Sequence, residues 1–237
     1  MTRVPPMTLM CVMATLAVSV QANAEQVLDA TNTGWFAETG SHNGYQSALN
    51  NHGVGQAYGE DFRSFFQFDL TGPIDPVGSA TFRAVNSISD GELVNGFYSS
   101  DPTETLTLFE PTVPVANLAS NYPDPADAIA IYNGLANGTE LGSVSVSDAD
   151  NQQYIEIELN AAGIEAINNA FGGTIAFGAA LTTLSGIPNQ WVFGYSDGTN
   201  VELVLTPVPE PATGILLALG LAVFVLRSRT AELQEKN

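Results

Sequence analysis

Across residues 25–208 this 237-residue chain contains no cysteine and no lysine. Its single cysteine, Cys11, lies in an apolar N-terminal run. The rest of the chain therefore has no disulfide framework, no thiol nucleophile and no cysteine-held metal. Cohesion has to come from an ordinary hydrophobic core, which a domain of this size can supply. Histidine is nearly absent too, with only His42 and His52. Their spacing of ten matches no metal-site signature, and ordinary hydrogen bonding in a loop is the reading given to both. No G-x-S-x-G elbow is present, although counting residues leaves a Ser–His–Asp triad open.

Positive charge is the third scarcity. The basic residues are Arg3, Arg63, Arg83, Arg227, Arg229 and Lys236, so residues 25–208 set two arginines against 22 acids, a net of −20. Such a field repels nucleic acid and anionic headgroups and argues against both as partners of this segment. Solubility explains the acidity without a ligand.

Long apolar runs are confined to the two ends. Arg3 precedes an apolar stretch at residues 7–20, followed by Ala22-Asn23-Ala24. A basic start, an apolar core of that length and an A-x-A end describe a secretory signal peptide over residues 1–24, with Ala22 and Ala24 marking cleavage after Ala24. The run is shorter than the roughly 20 residues a membrane span needs. At the other end, residues 212–226 are apolar apart from Thr213. As a helix they span roughly 22 Å, which thinning and snorkelling arginines extend toward the hydrocarbon thickness. Arg227 and Arg229 follow the run, so the positive-inside rule places the short tail in the cytoplasm and the preceding domain outside.

Pro209-Glu210-Pro211, then the apolar helix, the arginines and the chain end resemble the PEP-CTERM sorting signal of Gram-negative bacteria. The resemblance covers about the last 30 residues, 207–237. It implies recognition by a membrane processing enzyme, an exosortase, with Pro209, Glu210 and Pro211 as the recognition element. Arg227 and Arg229 then set orientation. A plain single-pass anchor with the triplet as linker is the alternative.

Residues 25–206 alternate short β-like runs with turn chemistry. RSFFQFDL, ATFRAV, ETLTLF, GSVSV, QYIEIEL, GTIAFGAAL, QWVFGY and VELVLT are separated by SDG at 89–91, NG at 95–96, SDADN at 147–151 and SDG at 196–198. In QYIEIEL, Tyr154, Glu156 and Glu158 alternate with Ile155, Ile157 and Leu159, the pattern of a half-buried strand. The fold expected is mainly β, an antiparallel sandwich or jelly roll with one or two short helices. An N-terminal signal helix and a C-terminal transmembrane helix complete it. One helix is expected after Asp124 or Asp127, burying Ala128, Ile131 and Leu135. The other follows an Asn160 cap, with Ile164, Ile167 and Phe171 on one face and Gly172 as its stop. Phe66, Phe68 and Phe177 read as core. The Gly/Asn-rich stretch 40–61 reads as a loop.

The order GWFAETGSHNG, RSFFQFDL, PVGSATFRA, YIEIELNAAGIEAI, GGTIAFGAAL and VELVLTP is similar to a β-sandwich module of surface and PEP-CTERM proteins. Modules of that shape resemble carbohydrate-binding folds, which speaks to the fold more than to a ligand.

Candidate sites are sparse. Glu156 and Glu158 share a strand face, but such a face is normally just solvated, and the 5–9 Å carboxylate separation of a glycosidase is invisible in sequence. SDADNQ and SDGTN offer oxygen ligands for calcium without completing an EF-hand, and turn formation accounts for them equally. No catalytic, cofactor or metal residue is assigned. Trp35, Tyr45, Tyr58, Tyr98 and Tyr122 lie in or beside expected loops, where rings suit sugar stacking or loop packing. The resulting order is a non-enzymatic surface or exopolysaccharide-matrix protein first, a carbohydrate-binding module second and a glycan-active enzyme third. The expected course is export, inner-membrane anchoring on the periplasmic side, then the cell surface or medium.

Overall fold

Period-2 alternation sets the strands: Tyr154, Glu156 and Glu158 are exposed and Ile155 and Ile157 buried in Tyr154–Glu158, because successive side chains point to opposite sheet faces. The chain is seen in a computed structural model that describes residues 24–43, 48–72, 74–88, 96–118, 124–194 and 198–208. Most of the expected signal peptide with Ala22, the triplet Pro209, Glu210 and Pro211, the expected helix at 212–226, and Arg227 and Arg229 lie outside the described residues. So do Tyr45, Tyr122 and the turn at 89–91. The described residues fall in one unit, Ala24–Val208.

The strands are β1 (Gln26–Asp29), β2 (Asn32–Ala37), β3 (Val54–Ala57), β4 (Glu60–Asp69), β5 (Val77–Val85), β6 (Glu104–Phe109), β7 (Glu140–Val146), β8 (Tyr154–Glu158), β9 (Thr174–Leu181), β10 (Gln190–Val192) and β11 (Val201–Pro207). Every ladder between them is antiparallel. The smaller sheet has the order β1-β11-β5-β8. In the larger one β4 carries β2 on one edge, while β9 and β3 share the other, since Ser64 pairs with both Trp35 and Ala179 and Phe62 with both Ala37 and Gly55. β6 and β7 continue beyond β9, and β10 beyond β3.

β3 corrects the sequence reading, since it forms inside the stretch taken as a loop. Its four residues, VGQA, are too short and too glycine-rich to show alternation. Gly55 sits at φ +115, and a Cβ there would lie 2.2 Å from the Gln190 carbonyl oxygen, so this close approach to β10 requires glycine.

The two sheets face each other across an aromatic core. Phe66 and Phe68 of β4 and Phe177 of β9 meet Phe82 of β5, all fully buried. Ring centroids of Phe66 and Phe82 are 4.9 Å apart. Each such side chain contributes about 2–3 kcal/mol through the area it removes from water, which meets the demand left by the absent disulfides.

Three α-helices are described, α1 (Val115–Leu118), α2 (Pro125–Gly134) and α3 (Ala161–Asn169), beside a 3₁₀ turn at Asp148–Asp150. Asp124 caps α2, its carboxylate accepting from Asp127 N at 2.9 Å with Pro125 at the first position. Ala128, Ile131, Tyr132 and Leu135 bury against Phe36 and Phe65. β4 is therefore covered on both faces, and Gln67 donates to the Val115 carbonyl at 2.9 Å. Asn160 caps α3, accepting from Gly163 N at 3.1 Å. Ile167 is buried in the inter-sheet core.

Candidate functional site

The first feature of functional weight is the place where the chain leaves the fold. β11 lies between β1 and β5, bonded on both edges. Gln26 pairs with Leu205, so the strand that opens the domain runs beside the one that closes it. A bulge at Thr206/Pro207 sets Pro207 opposite Val77. Val208 N then donates to the Pro76 carbonyl at 2.7 Å. Asn168, at the end of α3, grips Val77 from both sides, accepting from its N–H at 2.9 Å and donating to its carbonyl at 3.1 Å. The chain is fixed through Val208, and Pro209 follows directly.

A second feature lies at β10, where Tyr98 and Trp191 form a backbone bridge and stack with centroids 4.6 Å apart and planes 14° apart. Tyr98 is 42% exposed. Neighbouring residues form a polar network around the buried side chains of Glu104 and Gln190. Glu104 accepts from Ser99 Oγ at 2.7 Å, from Gln190 Nε2 at 2.7 Å and from Thr183 Oγ1 at 2.5 Å. Gln190 also donates to Asp101 at 3.0 Å and accepts from Ser185. Three donors answer the buried carboxylate, as its desolvation requires. The network holds segment 96–104 to β10 and so holds the ring pair in place.

The remaining sequence candidates divide. His52 lies in the loop before β3, as read from the sequence, but is fully buried there, with its ring edge-on to Phe66 and Phe193, 5.1 Å from each. His42 stacks on Phe36 at 5.4 Å. Phe36 belongs to the cluster under α2 and Phe66 to the inter-sheet core, so the two histidines sit on opposite faces of the larger sheet. Trp35 lies in β2, edge-on to Phe62 at 5.0 Å, whereas Tyr58 is 80% exposed at the β3–β4 turn.

The Asp150 carboxylate serves the turn itself, accepting from Ser147 N at 2.7 Å and from its Oγ at 3.0 Å, whereas Asn151 ties the turn to a distant segment by accepting from Phe97 N at 2.7 Å. Among the described residues no group of three or more His, Cys, Asp or Glu side chains is placed to hold a metal ion. Glu156 stands in a cross-strand row Asp29, Glu202, Arg83, Glu156. There Arg83 pairs with Glu202, Nε to Oε2 at 2.5 Å, and this bond raises the arginine further above its already high range.

A cleft of about 270 Å³ opens beside α1, α3 and β9, and among its described lining residues Glu110 is the titratable one. Among the described residues no helix is long and apolar enough to cross a membrane.

The Tyr98–Trp191 pair and the Glu104 network escaped the sequence reading. QWV carried a strand signal only, and its partner segment is distant along the chain.

A family model of the PEP-CTERM protein-sorting motif matches residues 207–229, so its first two positions are the last two described residues of the fold. No curated protein matches the chain. The motif marks a protein exported and sorted through an exosortase to the cell surface or extracellular space.

Proposed function

We propose that this chain is a non-enzymatic surface or exopolysaccharide-matrix protein, an antiparallel β-sandwich delivered by its C-terminal signal. Residues 1–24 act as a signal peptide cleaved after Ala24. Residues 212–226 cross the inner membrane of a Gram-negative cell, with Arg227 and Arg229 on the cytoplasmic side and the sandwich on the periplasmic side. The processing enzyme then recognises Pro209, Glu210 and Pro211. The observation that carries this reading is the sorting motif at residues 207–229, continuous with the closing strand of a folded domain. The test is intact mass of protein recovered from envelope and medium, beside a chain with Pro209, Glu210 and Pro211 replaced by alanine. The native protein is expected to lack residues 1–24 and the chain beyond the triplet, with the variant keeping its tail. If both retain Lys236 and Asn237 in the membrane, the triplet is a linker and the sorting reading falls.

Carbohydrate binding is the second reading, favoured by the Tyr98–Trp191 stack and the exposure of Tyr98. Flat aromatic surfaces held rigidly suit sugar rings, which offer an apolar face and a polar rim. The net charge of −20 favours neutral or amino-bearing polysaccharides over acidic ones. In affinity electrophoresis through neutral polysaccharide gels, native protein is expected to be retarded and Tyr98→Ala not. Equal mobility of the two removes this reading. A glycan-active enzyme ranks third.

A further inference from the structure

The hairpin joining β3 to β4 turns on Tyr58 and Gly59, with Ala57 paired to Glu60. Both turn residues have positive φ, +54 and +81, the type I′ geometry that Asn-Gly or Gly-Gly adopts readily. Tyrosine does not. Its Cβ crowds the backbone in the left-handed region, and its side chain makes none of the local bonds that reconcile asparagine to it. Burial gives nothing back, since the side chain is 80% exposed. A strained backbone carrying an unburied ring has no return within the fold, and such positions collect at binding sites. β3 also pairs with β10, Gly55 opposite Trp191, and Trp191 carries Tyr98 stacked on it. From Gly55 to Tyr58 the chain advances about 10 Å at the rise of a strand. Gln56 stands within that span, and the exposed Asn189 immediately precedes β10.

We propose that Tyr58 and the Tyr98–Trp191 stack are two contacts of one site, which takes a run of sugar units within a polysaccharide chain rather than a single sugar. The inference rests on the carbohydrate-binding reading of the stack. A sugar ring offers an apolar face to an aromatic side chain and hydroxyls to polar groups around it. Two aromatic surfaces about 10 Å apart along a strand lie beyond the reach of one sugar ring, so a chain is needed to engage both. Joining two contacts through one ligand raises affinity beyond that of either alone. The tight turn fixes the backbone that carries the Tyr58 ring, which lowers the ordering cost of binding. Glu60, the residue after the turn, has its carboxylate held by Thr39 Oγ1 at 2.8 Å, an acceptor for ligand hydroxyls at the same hairpin tip.

The test uses the chain recovered from its exporting host, as native protein and as Tyr58→Asn, Tyr58→Phe and Tyr98→Ala. Each is run by affinity electrophoresis through gels containing hydroxyethylcellulose, galactomannan or dextran, with thermal melting reporting the fold. Asparagine suits the turn, so Tyr58→Asn is expected to melt at or above the native temperature. Its affinity for the retaining polymer is expected to fall about tenfold, the scale of one aromatic contact. Tyr58→Phe keeps the ring and is expected to bind as the native protein does. Oligosaccharides cut from the retaining polymer then compete for native protein, a hexamer about tenfold better than a dimer. Tyr58→Asn is expected to lose that preference. Native affinity in Tyr58→Asn, the result also expected if Tyr58 serves a protein partner, overturns the second contact and leaves the stack as a sugar site. Equal competition by dimer and hexamer does the same. Native protein unretarded in all three gels, or Tyr98→Ala with native mobility, removes the carbohydrate reading and this inference together.

Discussion

The Arg63 guanidinium lies 4.2 Å from the centre of the Tyr132 ring. From the same position it donates to the carbonyls of Tyr132 at 3.0 Å and Asn133 at 3.3 Å. A β4 side chain thus closes the C-terminal end of α2, where unpaired carbonyls carry partial negative charge. Tyr132 returns a bond from its hydroxyl to Asp61, also on β4, at 2.7 Å. Helix and sheet are joined by one cation and one anion two residues apart on the same strand face.

Arg63→Ala is expected to lower stability by about 1–2 kcal/mol, the sum of a cation–π contact and a charge at a helix end. Arg63→Lys keeps the charge but not the planar fork, and should recover less than half of the loss. Urea unfolding midpoints at constant slope measure both. A lysine variant as stable as the native protein would reduce the contact to charge alone.

Burial pushes the Asp61 carboxyl above its ordinary range, with the Tyr132 hydroxyl and Arg63 opposing that rise. A raised carboxylate pKa means that the folded state holds the proton more tightly than the unfolded chain. The contribution to stability is complete below the unfolded value of about 3.9. It disappears as pH rises through the folded value. Asp61→Asn cannot titrate, so its melting temperature relative to the native protein is expected to increase from about pH 3.5 to about pH 7. A difference that is flat or falls over that range contradicts this assignment.

Glu104→Gln puts an amide N–H₂ where three donors converge on a carboxylate. The mismatch removes at least one charge-assisted hydrogen bond to the buried side chain and is expected to cost about 1–3 kcal/mol. Because the network holds segment 96–104 to β10, the near-ultraviolet circular dichroism of the Tyr98–Trp191 stack should weaken as well. An unchanged spectrum in a destabilised variant would show that the stack is held by its own contact.

At Gly178 of β9, a Cβ would lie 2.0 Å from the Leu135 carbonyl oxygen. The obstruction is backbone at the end of α2, which cannot rotate aside. Gly178→Ala is therefore expected to lose about 3 kcal/mol and some helical circular dichroism as α2 is displaced. Native-like melting would mean that α2 shifts at little cost.

Legibility in the sequence followed the range of the interaction involved. Ile155 and Ile157 announced their burial because alternation is a property of neighbouring residues. Asp124 and Asn160 announced their helices because a cap bonds a backbone N–H three residues away. The eight β-like runs all became strands, although β4 and β9, buried at consecutive positions, do so without alternating burial. β3 carried too few residues to alternate, and Gly55 signals a close approach only once β10 is beside it. His52 is the loop residue that its glycine and asparagine neighbours indicated; its burial was invisible because Phe66 and Phe193, from distant segments, enclose it.

Composition and local pattern by themselves determined that this chain is acidic, without cysteine beyond Cys11, mainly β, and that a sorting motif begins at residue 207. These properties are sums or short-range periodicities, complete in the order of residues. Tertiary structure decided that β4 is covered on both faces, that Tyr98 meets Trp191, and that Glu104 is buried among three donors. It also decided that the chain leaves the fold from an interior strand fixed through Val208. Each of those outcomes depends on which distant segments pair, and pairing is selected by the packing of both sheets at once.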